Sequence, residues 1–391
     1  MTGRQLPTDD AITSAITGIR DEVSTRTSAA LDQFCFAVGA TDTPLPRLAS
    51  QATRGGKRFR ALCAFIGAAF ALDEGTDAGE SVDPRSTTEA VELLMQAATI
   101  PGIFDLTTAL ELYQASALVH DDVIDRSPTR RGMPAAHAAL TQSHADSGAP
   151  GKATKYGQSG AILLGNLLTS AAEHSLARIP DLAPAGTARR LLALYSQMTG
   201  EVAQGQFRDM AAGFRTADGA NDSETVQSVL DVVRVKSALY SVVRPAQLGA
   251  LLAGADQAKI EILGAILEPA GLAFQLRDDD LGAFGTEAAT GKPTGIDILE
   301  RKRTVLLALA MQNADEGTRR ELVRIYGTES MTPGDLASAS ASLDQFGRAP
   351  HERMIGELAQ SAFDQLNAAS LTDSARGLLA HLVQTLTVRN S

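Results

Sequence analysis

The stretch LVHDDVID, residues 118–125, decides both the fold and the chemistry of this chain. It closes an apolar segment that begins near Leu106 and repeats at steps of three and four, the spacing of one helix face. Asp121 and Asp125 lie one helical turn apart, so their carboxylates point the same way, whereas Asp122 lies about 100° around the helix. Stacked carboxylates repel each other unless a cation lies between them, and their oxygens suit Mg²⁺. A solvated helix end is the alternative for this stretch alone.

A second acidic run closes another apolar helical pattern far along the chain. Residues 274–280 read FQLRDDD, and Asp278 and Asp279 are the candidate ligands there. Two such helices facing each other across a cavity would hold several Mg²⁺ ions and a diphosphate. The two runs together therefore predict a magnesium-dependent site.

Charge and composition limit the classes of partner. The chain has 391 residues, of which 44% are hydrophobic and 21% charged, and its formal net charge is −11. Such a charge excludes the basic footprint that nucleic acids require, whereas bound metal allows an anionic substrate.

The compartment is indicated by the cysteines and by the longest apolar run. Cys35 and Cys63 form no disulfide framework, and the first thirty residues carry no secretory signal. The run from Ala61 to Leu72 has twelve residues, too few to span a membrane. We therefore expect a cytoplasmic protein without a membrane span.

Helical periodicity runs along the whole chain without strand alternation, sustained heptads or short repeats. We predict an all-α protein in which residues 1–391 form a single large bundle with a central cavity. An N-terminal helix is expected over residues 9–38, a motif-bearing core over about 47–305, and further helices over 305–391.

Local signals refine two of these helices. Pro269 is expected to begin or kink the helix that carries the second acidic run. One helix is expected over residues 223–253, with Asp222 as its N-cap.

Basic residues supply the groups that a diphosphate needs. Residues 55–60 read GGKRFR just ahead of a helix, and Arg130 and Arg131 follow the first acidic run. Exposed amides with Lys and Arg bind phosphate well, and Arg does so in a bidentate way. A basic solvated turn is the alternative for residues 55–60.

These motifs, in this order between Arg47 and Thr304, resemble those of the trans-isoprenyl diphosphate synthases, the polyprenyl synthetase family. Further elements of the resemblance are Gly205–Asp209 for G-Q-x-x-D, Lys236–Ala238 for K-T-A, Gly291–Pro293 for G-K-P and Lys302–Thr304 for G-K-x-T. In the first of these, Gln206 is expected to line the cavity and Gly205 to permit close helix packing.

The resemblance implies a role for each matching residue. It assigns isopentenyl diphosphate to Gly56, Lys57, Arg60, Gln114 and Arg131, and the allylic diphosphate to Arg130 and Lys236. Ser237 and Gln275 complete the substrate-binding set, and Lys292 and Lys302 are expected to close over the phosphates. Metal binding falls to Asp121, Asp122, Asp125, Asp278 and Asp279, with three Mg²⁺ ions, and catalysis to Asp121, Asp122, Asp125, Lys236 and Asp278. A homodimer is also implied.

The implied reaction is chain elongation, in which an allylic diphosphate ionises and is attacked by isopentenyl diphosphate. In this family a bulky aromatic at the positions of Ser116 or Ala117 stops growth of the prenyl chain early, and both residues are small here. Tyr113 is the next large residue, about 12 Å down the helix from Asp121. We therefore expect geranylgeranyl diphosphate as the product, with a longer polyprenyl diphosphate as the alternative.

Three departures from the family pattern keep other functions open. Gly282 replaces the third Asp of the second cluster, Asn166 replaces an Asp, and Arg301 replaces a Gly. Asp280 cannot stand in for the missing Asp, because it lies about 200° around the helix from Asp278. The departures at Gly282 and Asn166 leave open a non-catalytic partner subunit. A class I terpene cyclase is less favoured, because Val229 stands where its second metal motif needs Glu.

Overall fold

Helices dominate the structure, a computed structural model that describes residues 10–73, 86–213, 225–285, 294–328 and 330–387. Over these ranges the only sheet is a two-stranded hairpin, β1 (Thr129–Arg130) paired antiparallel with β2 (Met133–Pro134). The all-α class is therefore confirmed. Asp222 and Lys292 lie outside the described residues.

The first half of the chain forms helices joined by short connections. Their bounds are α1 Asp10–Ala37, α2 Leu45–Thr53, α3 Phe59–Leu72, α4 Ser86–Ala97, α5 Ile103–Ile124, α6 Ala136–Asp146, α7 Ala153–Leu176 and α8 Ala185–Gly213, with short 3-10 turns at Ala40–Asp42 and Ile179–Asp181.

The second half contains two π-helical segments. The bounds are α9 Val226–Val233, the first π-helical segment Arg234–Val243, α10 Arg244–Leu252, α11 Gln257–Phe284, α12 Ile296–Leu299, α13 Val305–Asn313, α14 Glu316–Gly327, α15 Pro333–Ser342, the second π-helical segment Leu343–Arg348, α16 Ala349–Ala368 and α17 Asp373–Thr387.

The chain forms two compact units, each assembled from separate stretches. Unit 1 comprises Met1–Tyr195, Arg244–Leu263 and Ala369–Leu382, and unit 2 comprises Ser196–Val243, Gly264–Ala368 and Val383–Ser391. Since neither unit is one continuous segment, the single-domain organisation stays a prediction.

Each unit buries its own apolar core. In unit 1, α5 packs on α7, and five of their leucines are fully buried. These residues are Leu106, Leu110, Leu112, Leu164 and Leu168. In unit 2, the C-terminal part of α11 packs with α12 to α14 through Ala283, Ile298, Leu306, Leu322 and Ile325. Burying such side chains stabilises a fold by about 1.5–3 kcal/mol each.

Two expectations about helix boundaries need revision. Pro269 does not begin a helix, because α11 runs on both sides of it, and the alternative, that Pro269 kinks the helix, stays a prediction. Its ring removes one backbone hydrogen bond, but the flanking Leu267 and Ala270 are fully buried, and that packing outweighs the loss. The helix expected over residues 223–253 is divided by the first π-helical segment, and α9 is capped by Thr225, whose hydroxyl accepts from Ser228 N at 3.1 Å.

In the described part of the chain, no helix combines the length and apolar character that crossing a membrane requires.

Candidate active site

The first acidic run lies at the C-terminal end of α5, where Asp125 is the C-cap residue. The backbone N–H of Asp125 donates to the carbonyl of Asp121 at 2.8 Å, so the two residues stay one turn apart, as predicted. Arg126 follows with φ 55°, the left-handed conformation that commonly ends a helix. The Asp121 side chain keeps 27% of its surface exposed, and that of Asp122 only 6%. Asp121 is thus the more accessible of the two.

Arg130 is bound to this acidic run. Its Nε donates to Asp122 Oδ1 at 2.9 Å, a second bond comes from its Nη2, and its nearest approach to Asp121 is 3.8 Å. Burial raises the pKa of the Asp122 carboxyl, and the bond from Arg130 acts in the opposite direction. In this structure Asp122 therefore holds Arg130, and its role as a metal ligand stays a prediction.

The turn of the β1–β2 hairpin places Arg131 beside the glycine-rich loop, residues 54–58, which joins α2 to α3. Arg131 and Gly132 both have positive φ, 53° and 72°, as in a two-residue hairpin turn. The Arg131 Nη1 donates to the carbonyl of Arg54. A Cβ on Gly56, whose φ is 87°, would lie 3.1 Å from Arg131 Nη2. The structure thus brings together Gly56 and Arg131, which the family resemblance assigns to the same substrate.

The arginines in this region crowd one another. Burial lowers the pKa of Arg131, and the nearby charges of Arg58 and Arg130 lower it further. Lys57 is exposed, while Arg60 and Gln114 are half-buried. An anion placed beside these guanidinium groups would relieve their mutual repulsion, which is the property expected of a diphosphate site.

Arg58 has a structural role that the sequence did not reveal. It is 9% exposed and has φ 48°. Its guanidinium donates to Glu111 Oε2 at 3.1 Å, to Ser24 Oγ at 3.0 Å and to the carbonyl of Thr53 at 2.8 Å. The signal for it was Glu111, an acidic residue on the buried face of α5 that needs a partner.

Lys236 lies in the first π-helical segment and bonds to the carboxylate of Asp209. A Cβ on Gly205 would lie 2.8 Å from the Cα of Lys236, so the predicted close packing at Gly205 is confirmed. Ser237 is half-buried beside Lys236. Irregular π-helical turns often occur at functional sites, and here the turn sets the position of Lys236 against α8.

Two further residues of the G-Q-x-x-D element are Asp209 and Gln206. Asp209, which the sequence reading left without a role, is the partner of Lys236. The Nε2 of Gln206 is buried and has no hydrogen-bond partner within the described residues. Whether Gln206 lines a cavity stays a prediction.

The second acidic run divides its side chains among three directions. Asp278 is exposed, whereas Asp279 is 8% exposed and accepts a bond from Gln275 Nε2 at 2.9 Å. Burial raises the pKa of Asp279 to about 8, and the negative charge of Asp297 adds to the effect. Asp280 points to Arg348, 3.5 Å away, and to Arg277, 3.8 Å away. Asp280 is thus paired with arginines, and the prediction that it does not replace the missing Asp stays a prediction.

Lys302 and Arg301 lie after the short helix α12. The Lys302 Nζ contacts Asp297 Oδ1 at 2.7 Å and Glu300 Oε2 at 3.1 Å, so two carboxylates already neutralise it. Its role in closing over phosphates stays a prediction. Arg301 has φ 56°, which explains why glycine suits this position. Its Nη1 donates to the carbonyl of Thr328, which holds the arginine in place.

The carboxylates of the two acidic runs fit a magnesium ion that takes most of its ligands from water and phosphate. In the ranges that the structure describes, no three His, Cys, Asp or Glu side chains converge closely enough to enclose a metal. Mg²⁺ does not need such a cage, because it is usually held by one or two carboxylates and completed by water and phosphate oxygens. Asp121 with Asp125, and the exposed Asp278, offer that donor set.

The residues assigned to chain length do not share one environment. The Tyr113 ring packs edge-on against Tyr195 with centroids 6.0 Å apart, and Ala117 is half-buried. Ser116 is fully buried, and its Oγ donates to the carbonyl of Gly165 at 2.8 Å and contacts Thr169 Oγ1 at 2.8 Å. The Ser116 hydroxyl is therefore turned to α7. Asn166, also on α7, is exposed.

Comparison with known proteins places these features in one family. The sequence profile of the polyprenyl synthetase family matches residues 43–343. A geranylgeranyl diphosphate synthase of Mycobacterium tuberculosis is 31% identical over 275 residues, which cover 69% of each chain. A short chain isoprenyl diphosphate synthase of Methanocaldococcus jannaschii is 28% identical over 261 residues, covering 67% of this chain and 71% of the relative.

The fold agrees with these relatives. The crystal structure of a geranylgeranyl pyrophosphate synthase from Corynebacterium glutamicum, complexed with isoprenyl diphosphate and magnesium, superposes with a TM-score of 0.78 at 32% identity. The match covers 94% of this chain and 98% of that protein. The chain belongs to the polyprenyl synthetase family.

Proposed function

We propose that this prenyltransferase condenses an allylic diphosphate with isopentenyl diphosphate, with geranylgeranyl diphosphate as the main product. One observation carries the proposal: in unit 1 the Asp121–Asp125 pair lies beside a cationic group formed by Arg130, Arg131 and residues 54–60, which comprise the glycine-rich loop and the start of α3. Carboxylates for a divalent metal next to guanidinium groups for phosphate suit two diphosphate substrates. Relatives and structural neighbours that bear the name geranylgeranyl diphosphate synthase support the product.

In the proposed reaction Asp121, Asp125 and Asp278 would hold Mg²⁺, three ions in all, with Asp122 and Asp279 assisting. When bound, the metal would supply positive charge for the diphosphate that leaves as the allylic C–O bond breaks. Arg130 and Lys236 orient the allylic diphosphate, and Lys57, Arg60 and Arg131 hold isopentenyl diphosphate so that its double bond faces the cation. The proton lost afterwards goes to the departing diphosphate, so no side-chain base is required.

The test of this function is incubation of the purified chain with Mg²⁺, isopentenyl diphosphate and each allylic diphosphate in turn. We expect a twenty-carbon diphosphate as the main product by mass spectrometry. A terpene cyclase would release a hydrocarbon without isopentenyl diphosphate, and a non-catalytic partner subunit would turn nothing over alone. Either outcome would contradict the proposal.

The two diphosphates are expected to use separate cations. Replacing Arg60 with alanine should raise KM for isopentenyl diphosphate by about 10- to 100-fold, since a hydrogen bond to a charged group contributes about 1.5–3 kcal/mol. The allylic KM should change much less. Initial rates measured with each substrate varied separately check this, with Arg190→Ala, an exposed arginine on α8, as the matched control. Equal effects on both substrates would count against separate sites.

Chain length is expected to depend on the α5 side chains below the first acidic run. Tyr113→Ala should lengthen the products by removing a ring at that depth, and Ala117→Phe should shorten them. Ser116→Ala is the control, because the Ser116 hydroxyl is turned to α7. The measurement is the mass of the products made from one allylic primer. An unchanged product distribution in both test variants would mean that other residues set the product length.

A homodimer is supported by apolar side chains that unit 1 leaves exposed. On α7 the exposed fractions of Tyr156, Ile162 and Leu163 are 47%, 45% and 58%. Leu163→Lys should therefore shift the protein towards monomer in sedimentation equilibrium, because it places a charge in an interface that would otherwise be dry. Met95→Lys, at a residue of α4 with 53% exposure, is the control. A wild-type protein that sediments as a monomer would end this proposal.

The free cysteines support a cytoplasmic location. Cys35 and Cys63 are both buried and unpaired as disulfides, which suits a reducing compartment. Fractionation of the source cells, with the chain recovered outside the cytoplasm, would overturn this assignment.

A further inference from the structure

The second acidic run lacks the carboxylate that the first run has one helical turn after its first Asp. Asp121 and Asp125 are four residues apart, and the position four residues after Asp278 is Gly282. Side chains four residues apart lie on the same face of a helix, one turn from each other. A side chain at position 282 would therefore extend from the Asp278 face of α11.

The space beside Gly282 is filled by another carboxylate. A Cβ built on Gly282 would lie 2.0 Å from Asp297 Oδ2 and 2.4 Å from Asp297 Cγ. These distances are far shorter than any van der Waals contact, so no side chain fits at position 282 while Asp297 keeps its place. The carboxylate of Asp297 thus occupies the volume that an aspartate at position 282 would use.

Asp297 is fixed in this place by its own contacts. The residue is 7% exposed and lies in the first turn of α12. Its Oδ1 accepts from Lys302 Nζ at 2.7 Å, and its carbonyl accepts from the backbone N–H of Lys302 at 3.0 Å. Lys302 therefore holds one carboxylate oxygen, and the other is directed to the Asp278 face of α11.

We propose that Asp297 supplies the carboxylate that position 282 lacks and acts as a positioning residue of the second acidic run, with Gly282 providing the space for it. This inference rests on the proposed function, since it assigns Asp297 to the same magnesium-dependent chemistry. It also explains how the chain retains its site despite the departure at Gly282.

A purely structural role for Asp297 gives different expectations. If Asp297 served only to pair with Lys302, its loss would lower the unfolding temperature and leave the magnesium requirement unchanged. An aspartate introduced at position 282 would then not improve the magnesium response of a variant that lacks Asp297. The two roles can therefore be separated by moving the carboxylate from one position to the other.

The experiment compares the wild type with Asp297→Ala, Asp297→Asn, Gly282→Asp and the double variant Gly282→Asp/Asp297→Ala. The first readout is the Mg²⁺ concentration that gives half-maximal turnover. The second is the rise in unfolding temperature caused by Mg²⁺ with inorganic diphosphate, which needs no turnover. Asp297→Asn keeps the shape of the side chain and removes its charge.

We expect Asp297→Ala and Asp297→Asn to raise the required Mg²⁺ concentration by about 10- to 100-fold, as losses around a metal site commonly do. Gly282→Asp alone should also be impaired, because two carboxylates then compete for one volume. The double variant should recover most of the magnesium response lost in Asp297→Ala. A wild-type magnesium response in both Asp297 variants, or a double variant no better than Asp297→Ala, overturns the proposal.

The two readouts also separate this proposal from the proposed function. If the wild type makes no prenyl product but Mg²⁺ and diphosphate still raise its unfolding temperature, the function fails, and the thermal shifts of the same variants decide the role of Asp297. If Mg²⁺ and diphosphate leave that temperature unchanged, Asp297 has no metal-linked role and the inference fails.

Discussion

Alanine at Asp121 or at Asp278 lowers kcat by at least about 10²- to 10³-fold, the range found when one group that stabilises developing charge is removed. Each variant removes a carboxylate that we propose as a Mg²⁺ ligand. Because Mg²⁺ is usually held by only one or two carboxylates, little would remain to replace it. Steady-state turnover at saturating substrates and Mg²⁺ is the measurement.

The fold should survive both changes, since Asp121 is 27% exposed and Asp278 is exposed. The unfolding temperature should therefore stay close to that of the wild type. Matched controls are Asp105→Ala on α5, whose carboxylate pairs with the exposed Arg178, and Glu261→Ala on α11. Wild-type turnover in either test variant would remove that residue from the metal site.

Replacing Arg58 with alanine is expected to lower the free energy of unfolding by about 3–5 kcal/mol, because it leaves the buried carboxylate of Glu111 without its partner. The side chains of this pair are 9% and 6% exposed. Arg58 also donates to the carbonyl of Thr53, so the connection between α2 and α3 loses a support. Urea denaturation followed by circular dichroism gives the free energy.

The matched control is Lys57→Ala at the neighbouring exposed residue, which should change the stability little. A second comparison uses Arg58→Met/Glu111→Leu, which removes both charges together. It should be more stable than Arg58→Ala, because no unpaired charge stays buried. If Arg58→Ala and Lys57→Ala unfold at the same urea concentration, the structural role of Arg58 is wrong.

Periodicity explains why part of the site could be predicted from the sequence. The helical register placed Asp121 and Asp125 one turn apart and turned Asp280 away from Asp278, and both relations depend only on the geometry of a helix. Gly205 was predictable for a similar reason, since a glycine in a helical pattern often marks close packing.

The remaining features depend on tertiary contacts that periodicity does not encode. Lys57, Arg58 and Arg60 lie in or beside a connection without a repeat, so nothing in their order indicates that Arg58 is the most buried of the three. Asp297 lies fifteen positions after Gly282, and only folding shows that it fills the space there.

The different surroundings of two adjacent helix residues were also not predicted from the sequence. Ser116 and Ala117 differ by about 100° in direction, so two small residues that looked equivalent face different surroundings. The π-helical turn at Lys236 has no sequence signal, because its residues also read as an ordinary amphipathic helix.

At the β1–β2 hairpin, the two arginines proposed to bind different substrates are neighbours in the chain. Arg130 faces the acidic run and Arg131 faces the glycine-rich loop, yet their Cα atoms are only about 3.8 Å apart. If each arginine orients a different substrate, the spacing between the two diphosphates is set by a single peptide unit. Neither diphosphate could then shift without disturbing the other, so the length of this turn would govern how the two carbons that join are aligned.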